Sequence, residues 1–189
     1  MSTFSLIKRR RTIRKFHQKT VPKDILKDCI DAGRLAPSSA NRQPLEFIIV
    51  TKYLGPIFGC TRWAGYLKDG TPKQGEKPTA YIIIISNKKI SEDARYDVGL
   101  AAENITLTAL EKGVASCIIA SLEKQILMDI LKIPSHYQIE LLIALGYPAQ
   151  ESKETELKDI NDIKYWLDEN NVLNVPKRSM KYVLHEEEF

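Results

Sequence analysis

The spacing of apolar residues along the chain predicts strands and helices in a mixed order. Continuous apolar runs rich in β-branched residues are typical of strands buried on both faces, whereas apolar residues three and four positions apart are typical of helices. The first pattern predicts strands over residues 45–51, 80–86, 114–120 and 138–146. The second pattern predicts helices over residues 22–35, 91–113 and 123–131.

Proline, serine and glycine mark the ends of these predicted helices. Pro37 disfavours helical backbone in the residue before it, so the first helix is predicted to stop near Leu35. Ser91 is the predicted N-cap of the long helix, with Asp93 in its first turn and Gly113 closing it. The alanines of this helix would let another helix approach closely, which favours a central or interfacial position. Its predicted core stripe is Val98, Ala101, Ala102, Ile105, Leu107 and Leu110.

Two long segments show neither pattern. Residues 55–78 contain scattered glycines and prolines and are predicted to be a long irregular excursion, a kind of segment that often forms a lid or binding loop. Residues 150–162 are strongly polar and are predicted to lie on the surface, and residues 163–189 form a tail that ends in an acidic run. Since helices and strands do not alternate as in a doubly wound sheet, we expect one mixed domain over residues 1–189, built around a buried sheet.

Composition favours a soluble globular protein of the cytoplasm. The chain has 189 residues, of which 43% are apolar and 28% charged, and its net charge is +4. Cys29, Cys60 and Cys117 show no disulfide or metal-ligand spacing, which indicates reduced thiols and no metal site. The longest apolar run, residues 80–85, is too short to cross a bilayer, and the basic N terminus is not a secretory signal.

Two basic segments and one polar loop are the candidates for chemistry. Residues 8–16 (KRRRTIRKF) could neutralise a phosphate, although alone they could equally be a solvated arm or a nucleic-acid patch. Residues 36–44 (APSSANRQP) form a proline-bracketed loop that could present hydroxyl and amide groups to a planar ligand, although turn residues also cluster in ordinary loops. Lys177 and Arg178, taken alone, would be interpreted as surface charge.

Taken together, in this order and spacing, these segments closely resemble the nitroreductase family over nearly the whole chain. The resemblance implies an α+β fold with a central, mostly antiparallel mixed sheet flanked by helices. It also implies a homodimer in which the C-terminal extensions are intertwined. The segments that carry it are residues 10–16, 36–44, 97–104 (DVGLAAEN), 113–117 (GVASC), 145–148 (LGYP) and 175–178 (VPKR).

The resemblance implies a tightly bound FMN at each subunit interface. In similar proteins the first basic motif grips the phosphate and the ribityl chain, so Arg10 and Thr12 would contact them, with Arg11 a neighbour. Thr12 stands where serine is commoner and preserves the hydroxyl. Lys177 and Arg178 would return to the same phosphate, which would explain two distant basic patches in a chain of modest charge.

The resemblance also implies the surroundings of the isoalloxazine ring. Arg14 would lie beside the N1/O2 edge, where a fixed positive charge supports the reduced flavin. A loop from the other subunit would reach the ring, and a strand end would lie under it with a backbone N–H near N5. The loop residues are Pro37, Ser38, Ser39, Asn41 and Gln43, and the strand-end residues are Ile118, Ala120 and Ser121.

The activity implied by the resemblance is hydride transfer from NADH or NADPH, through flavin N5, to a nitroaromatic compound, a quinone or another electron-poor acceptor. No GxGxxG motif follows a strand, so the nicotinamide is expected to bind transiently over the flavin in a ping-pong order. The flavin carries the chemistry and no catalytic side chain is assigned. His17, His136 and His185 are interpreted as surface residues, and Cys117 as a buried structural cysteine.

Three alternatives stay open at this point. The same fold and cofactor could serve another flavin reaction, such as dehydrogenation, dehalogenation or cleavage of reduced flavin. A basic nucleic-acid-binding module is a remote alternative, because no helix-turn-helix, zinc or aromatic-basic RNA motif is present, and no nucleic-acid partner is expected. Trp63 and Tyr66 could form part of a substrate lid or could simply pack.

Overall fold

Five strands form the main sheet, and a strand of almost pure aliphatic sequence lies near its centre. The computed structural model describes residues 2–188. The five strands are β1 (Phe16–His17), β2 (Leu45–Val50), β3 (Ala80–Asn87), β4 (Ala115–Ile119) and β5 (Tyr137–Pro148). Their order is β1-β5-β3-β2, with β4 also paired to β5, and each of these pairs is antiparallel.

Helices cover both faces of this sheet. They are α1 (Thr3–Arg9), α2 (Lys23–Arg34), α3 (Leu54–Gly59), α4 (Arg95–Glu111) and α5 (Lys124–Leu131). Successive side chains of a strand point to opposite faces, so β3 contributes to two apolar clusters. Ile82 and Ile84 pack in a cluster with residues of α2 and α4, and Ile83 packs with residues of α3 and α5. The predicted burial of β3 on both faces is therefore confirmed.

The four predicted strands and three predicted helices are confirmed, but the start of the long helix was predicted wrongly. α4 begins at Arg95, and its N-cap is Ala94. The hydroxyl of Ser91 donates to the carbonyl of Asp93 at 2.8 Å and therefore does not cap the helix. The acidic residue of the first turn is Asp97.

The two ends of the predicted core stripe of α4 also differ from the structure. Leu107 and Leu110 are half-buried, whereas Thr106 and Ala109 are fully buried. Gly113 adopts a positive φ of 75° just after the helix, as its predicted closing position requires. No helix within residues 2–188 combines the length and the apolar character needed to cross a membrane.

Two segments predicted to be irregular contain regular structure. The helix α3 occupies the start of the predicted excursion over residues 55–78, and its Ile57 is buried against the sheet. A second sheet follows β5, with strands β6 (Ser152–Glu156), β7 (Trp166–Leu167) and β8 (Leu173–Lys177). In this sheet β6 pairs with β8 in parallel and β7 pairs with β8 antiparallel. Residues 150–162 are largely exposed, as predicted, and residues 152–156 among them pair with β8 as the strand β6.

A close contact fixes β1 to the end of β5. Phe16 is fully buried and its backbone pairs with Pro148. A Cβ added at Gly146 would lie 2.9 Å from the Cβ of Phe16, so glycine is required for the two strands to approach this closely. Since β1 directly follows the basic segment, this contact also holds that segment against the sheet.

Candidate functional site

The N-terminal basic segment runs along the edge of the main sheet beside β4. The backbone N–H of Ile13 donates to the carbonyl of Ser116 at 3.0 Å, and Thr12 forms a parallel bridge with Ser116. This bridge gives the otherwise antiparallel sheet its mixed character. The segment is thereby held between α1 and β1, with its arginines at the surface of the sheet edge.

Carboxylates from two distant elements hold the first two arginines. The Nε of Arg10 lies 3.2 Å from an oxygen of Glu103 on α4, and the guanidinium of Arg11 pairs with Glu154 on β6. The Arg11 side chain is only 9% exposed, so this pair is shielded more than an ordinary surface ion pair. Neither Glu103 nor Glu154 was assigned a role from the sequence.

A cavity of about 610 Å³ opens beside these arginines, within the range of small-molecule and cofactor sites. Arg11 and Ser152 are among the residues that line it, and the Nε of Arg11 and the hydroxyl of Ser152 are buried without a hydrogen-bond partner among the described residues. Buried polar groups in folded proteins are nearly always hydrogen-bonded. Guanidinium and hydroxyl donors of this kind suit a phosphate group. The cavity is lined by Lys8, Arg9, Arg10, Arg11, Ile13, Leu110, residues 113–116, Pro148 and residues 150–154.

Arg14 is held in a different way. The central carbon of its guanidinium lies 4.7 Å from the centre of the Tyr165 ring, and its backbone N–H donates to the side-chain carbonyl of Gln150 at 3.3 Å. Burial raises the pKa of the Cys117 thiol to about 11, and the positive charge of Arg14 opposes this shift. Arg14 therefore lies close enough to β4 for its charge to act there.

The end of β4 presents an exposed edge next to Arg14. Cys117 and Ile119 are buried, as a structural cysteine requires, whereas Ile118 between them is 39% exposed. Ala120 and Ser121 are also exposed, and the carbonyl of Ser121 accepts the backbone N–H of Arg62 at 3.1 Å. This strand end therefore offers one exposed apolar side chain to a ligand, next to the exposed residues Ala120 and Ser121.

The loop over residues 36–44 is held in a strained conformation by its own polar groups. Its Ser38 hydroxyl accepts the backbone N–H of Gln43 at 3.0 Å, and the Gln43 side chain donates to the carbonyl of Asn41 at 3.3 Å. The backbone N–H of Ser39 donates to the buried Asp97 carboxylate at 3.1 Å. Positive φ angles at three non-glycine residues add strain that these bonds offset. The three are Ala40, Asn41 and Gln43.

Asp97 is therefore a residue that sequence reasoning missed. It stands at the start of the DVGLAAEN motif, which was noted only as part of a family resemblance. A buried carboxylate in the first turn of a helix is a signal for a local hydrogen-bonding role, because it must find donors. Here the donor is the backbone of the predicted ligand-binding loop, so Asp97 fixes the position of that loop.

Within one chain, the structure does not bring all of the predicted site residues together. Pro37, Ser38 and Gln43 border a cavity of about 160 Å³ against α2 and α4, separate from the one beside Arg10. Lys177 lies opposite Glu156 in the second sheet. Arg178 donates to the carbonyl of Tyr182 at 2.7 Å and borders a third cavity. The predicted convergence of Lys177 and Arg178 with Arg10 is thus not present in the single chain.

The two aromatic residues of the predicted lid behave differently. Trp63 stacks on Phe58 with ring centres 5.6 Å apart and donates to the hydroxyl of Thr61 at 2.7 Å, so it packs. Tyr66 is exposed, and its ring centre lies 5.1 Å from that of Tyr165, next to Arg14.

No histidine lines the cavity beside Arg10 and Arg11 within residues 2–188. His17 and His185 are exposed and His136 is half-buried against Tyr137, with ring centres 4.4 Å apart. In the part of the chain that the structure describes, no group of three or more His, Cys, Asp or Glu side chains is arranged to hold a metal ion. The local arrangement is therefore one of fixed cations and donors, which suits the binding of an anionic ligand.

The fold is that of a nitroreductase-like α+β protein. A solved FMN-dependent nitroreductase of Clostridium difficile is 26% identical, with a TM-score of 0.71 over 98% of this chain and 99% of that one. A protein of Methanothermobacter thermautotrophicus, whose name gives NADH dehydrogenase and NAD(P)H nitroreductase, is 28% identical over 84% of both chains. The iodotyrosine deiodinase of Thermotoga neapolitana is 26% identical over 77% of this chain and 88% of its own.

The nitroreductase family model matches residues 7–147. The chain therefore belongs to the nitroreductase family and is an oxidoreductase. The match begins within α1 and ends at the close of β5, so it includes the basic segment, the 36–44 loop and β4. The second sheet lies outside it.

Proposed function

We propose that the chain binds FMN tightly at the interface of a homodimer and transfers hydride from NADH or NADPH to an electron-poor acceptor. The observation that carries this proposal is the cavity lined by Arg10, Arg11 and Ser152, of which the Arg11 Nε and the Ser152 hydroxyl are buried without hydrogen-bond partners within residues 2–188. Such donors suit the phosphate of a nucleotide cofactor. The similarity to the FMN-dependent nitroreductase of Clostridium difficile supports FMN as that cofactor.

The residues of the basic segment contribute different groups to phosphate binding. Arg10 and Arg11 are already oriented by Glu103 and Glu154, so they can contact a phosphate at little further entropic cost. Thr12 contributes a hydroxyl from the same segment. Lys177 and Arg178 border other surfaces of the single chain, and we expect them to join the phosphate only in the assembled dimer.

The residues around β4 orient the ring of the cofactor. FMN, when bound, supplies the capacity to accept and pass on a hydride. Arg14 supplies a fixed positive charge beside the ring, and the exposed Ile118 supplies an apolar surface beneath it. The backbone of Ala120 and Ser121 supplies polar groups at the same edge. No protein side chain is required as an acid or base.

The homodimer is supported by the surface of α4. Tyr96 is 84% exposed and Leu100 is 47% exposed, although both lie on a helix of the apolar core. A Cβ added at Gly99 between them would meet nothing within 4 Å, so this surface is open to a close partner. The loop that carries Ser38, Ser39 and Asn41 is fixed to α4 through Asp97, and in a dimer it would contribute to the partner's site.

The nicotinamide reductant and the acceptor rest on the named relatives. The name of the Methanothermobacter thermautotrophicus relative includes both NADH and NAD(P)H activities. We propose that the nicotinamide reduces the bound cofactor and leaves before the acceptor enters the same site. Reductive dehalogenation is the second candidate, because the Thermotoga neapolitana relative is an iodotyrosine deiodinase of similar length.

The test is an absorption spectrum of the purified protein, followed by anaerobic addition of NADH or NADPH. We expect flavin bands that bleach on addition of nicotinamide and recover with a quinone or nitroaromatic acceptor. Recovery with an iodinated phenol alone, with release of iodide, would favour the second candidate. A protein that retains no flavin after reconstitution with FMN would contradict the proposal.

Two variants test the phosphate site directly. Arg10→Gln should raise the dissociation constant of FMN by about tenfold to a hundredfold, because hydrogen bonds to charged groups contribute about 1.5–3 kcal/mol. Lys27→Gln is the control, since Lys27 is largely exposed on α2 and pairs with Asp24 at 3.8 Å. Equal FMN affinity in the two variants would exclude Arg10 from the site.

A further inference from the structure

We propose that Tyr165, supported by Tyr66, is a positioning residue. Its ring holds the Arg14 guanidinium in a cation–π contact and leaves the positive charge of Arg14 available to the ligand. This inference rests on the proposed function, because it assigns a role toward the bound flavin. It concerns two aromatic residues outside the basic motif, of which Tyr165 also lies outside the segment that the family model matches.

Arg14 differs from the basic residues beside it in the kind of group that it contacts. Arg10 pairs with Glu103 at 3.2 Å, Arg11 pairs with Glu154, and Lys15 pairs with Glu76 at 3.2 Å. Each of these cations therefore faces a carboxylate that offsets its charge. Arg14, within residues 2–188, makes no such ion pair, and an aromatic ring takes the place of the carboxylate.

The contact between the Tyr165 ring and the Arg14 guanidinium is a cation–π contact. An aromatic ring attracts a guanidinium through its negative face and carries no formal charge of its own, so the full positive charge of the guanidinium remains. A carboxylate would offset part of that charge and occupy one or two of the five N–H donors. The Tyr165 ring, with its centre 4.7 Å from the guanidinium carbon, therefore fixes Arg14 without consuming its capacity to bind an anion.

Tyr165 is itself in contact with a second aromatic residue, Tyr66. Its ring is tilted by 57° against the ring of Tyr66, with centres 5.1 Å apart, which is a favourable aromatic arrangement. The side chain of Gln150 holds the Arg14 backbone at 3.3 Å. Three separate segments thus converge on one arginine: the excursion before β3, the β5–β6 connection and the residues before β7.

The consequence is a charge that is positioned before the ligand arrives. A free arginine side chain loses rotamer entropy when it is ordered on binding, and prior ordering removes that cost. A positive charge fixed beside the ring also favours the state of the ligand that carries more negative charge. Tyr165 should therefore affect both the affinity for FMN and the midpoint potential of the bound flavin.

The experiment compares Tyr165→Leu with Tyr165→Phe in the full-length protein. For Tyr165→Leu we expect the dissociation constant of FMN to rise about three- to tenfold, the scale of a partly desolvated cation–π contact. We also expect its bound flavin to have a more negative midpoint potential. Tyr165→Phe keeps the ring and should restore both values, which a lost hydroxyl contact would not allow.

Two further variants separate positioning from general packing. Tyr147→Leu is the matched control, because Lys19 lies 4.5 Å from the centre of the Tyr147 ring in a comparable contact with a cation that does not line the cavity beside Arg10. It should leave affinity and potential unchanged. In an Arg14→Gln background, Tyr165→Leu should have no further effect on the potential, since the charge that it positions is gone.

The outcomes distinguish this inference from the proposed function. A wild-type protein that binds no FMN overturns the proposed function itself. FMN binding with unchanged affinity and potential in Tyr165→Leu, or an equal potential shift in the Arg14→Gln background, overturns the positioning role alone. If Tyr165→Leu does not fold, Tyr66→Leu provides the same test, with shifts in the same direction and of smaller size.

Discussion

The main sheet and the second sheet are held together by different kinds of interaction. In the main sheet, β3 is buried along nearly its whole length between β2 and β5, and most of its side chains are aliphatic. In the second sheet the strands are short, β6 and β7 are mostly exposed, and β8 buries Leu173 and Asn174. A turn there is held by Asp168, which accepts from the Asn174 side chain at 3.1 Å. Burial therefore dominates the first sheet, and specific polar contacts dominate the second.

The comparison matters for function because the candidate site uses both sheets. The basic segment and β4 belong to the main sheet, whereas Glu154 and Tyr165, which hold Arg11 and Arg14, come from the second sheet and the residues around it. The arginines therefore lie in a segment with a recognisable sequence motif, whereas the residues that position them lie around the second sheet, whose sequence pattern is weak. Four experiments test this division.

The largest effect is expected from a cavity in the main sheet. Ile83→Ala removes a fully buried side chain of β3, so we expect a loss of about 2–5 kcal/mol in the free energy of unfolding. Urea denaturation measures this loss. The control is Ile126→Ala on α5, where the side chain is 53% exposed and the loss should stay below about 1 kcal/mol. Similar losses in the two variants would refute the dominance of burial.

A smaller and local effect is expected in the second sheet. Asp168→Ala removes the acceptor of the Asn174 side chain and of the backbone N–H of Val172 at 2.9 Å. We expect faster hydrogen exchange in β7 and β8, with a local loss of about 1–3 kcal/mol and unchanged exchange in β3. Asp69→Ala, an exposed acid in the irregular excursion, is the control. Equal acceleration in β3 would show that the two sheets unfold together.

The third experiment concerns the connection between the basic segment and the chain before β3. Glu76 accepts the backbone N–H of Lys73 at 3.1 Å and the Lys15 ammonium at 3.2 Å, and these bonds lower its pKa. A lowered pKa in the folded state stabilises the protein above the ordinary glutamate pKa of about 4.3, and this stabilisation is lost as pH falls through the lowered value.

Glu76→Gln should therefore cost about 1 kcal/mol at neutral pH, the usual contribution of such a bond. The difference from the wild-type protein should shrink as the solution is acidified below pH 4, because Glu76 becomes protonated in both states. Thermal unfolding across that pH range measures it. The control is Glu111→Gln at the exposed end of α4, where the cost at neutral pH should stay below about 0.5 kcal/mol. A constant difference at all pH values would contradict the assigned cause.

The smallest effect, close to zero, is expected for thiol labelling of the native protein. Burial raises the pKa of Cys29 to about 12 and that of Cys117 to about 11, and it also raises the pKa of Cys60. At pH 8 a thiol with a pKa near 11 is ionised in roughly one molecule in a thousand, and the thiolate is the reactive form. Reaction should follow unfolding only. Rapid labelling in native buffer would show that the apolar clusters open locally.

The strands of the main sheet could be predicted because their signal is local. A run such as residues 80–85 is continuously apolar, and few structures other than a buried strand accommodate it. The N-cap of α4 could not be predicted in the same way, since Ser91 has the right side chain but bonds to Asp93. The strands β6 and β8 are polar or short, and their pairing depends on partners distant in the sequence.

The same distinction applies to the candidate site. The arginines at positions 10, 11 and 14 stand in a short motif and could be selected from the sequence. Their partners Glu103, Glu154 and Tyr165 could not, because nothing near these residues in the sequence indicates which cation they face. The proposed sharing of the site between two chains is a further limit, since periodicity within one chain carries no information about its partner's surface.

The contact of Phe16 with Gly146 also sets an order of assembly during synthesis. The basic segment is anchored through β1, and β1 pairs with the last residues of β5, which leave the ribosome much later. Contacts between residues so far apart in the sequence carry a large loop-closure cost and form after local structure. A nascent chain that has not yet exposed residue 148 therefore carries its arginines without their anchor. Ligand capture must follow completion of the sheet.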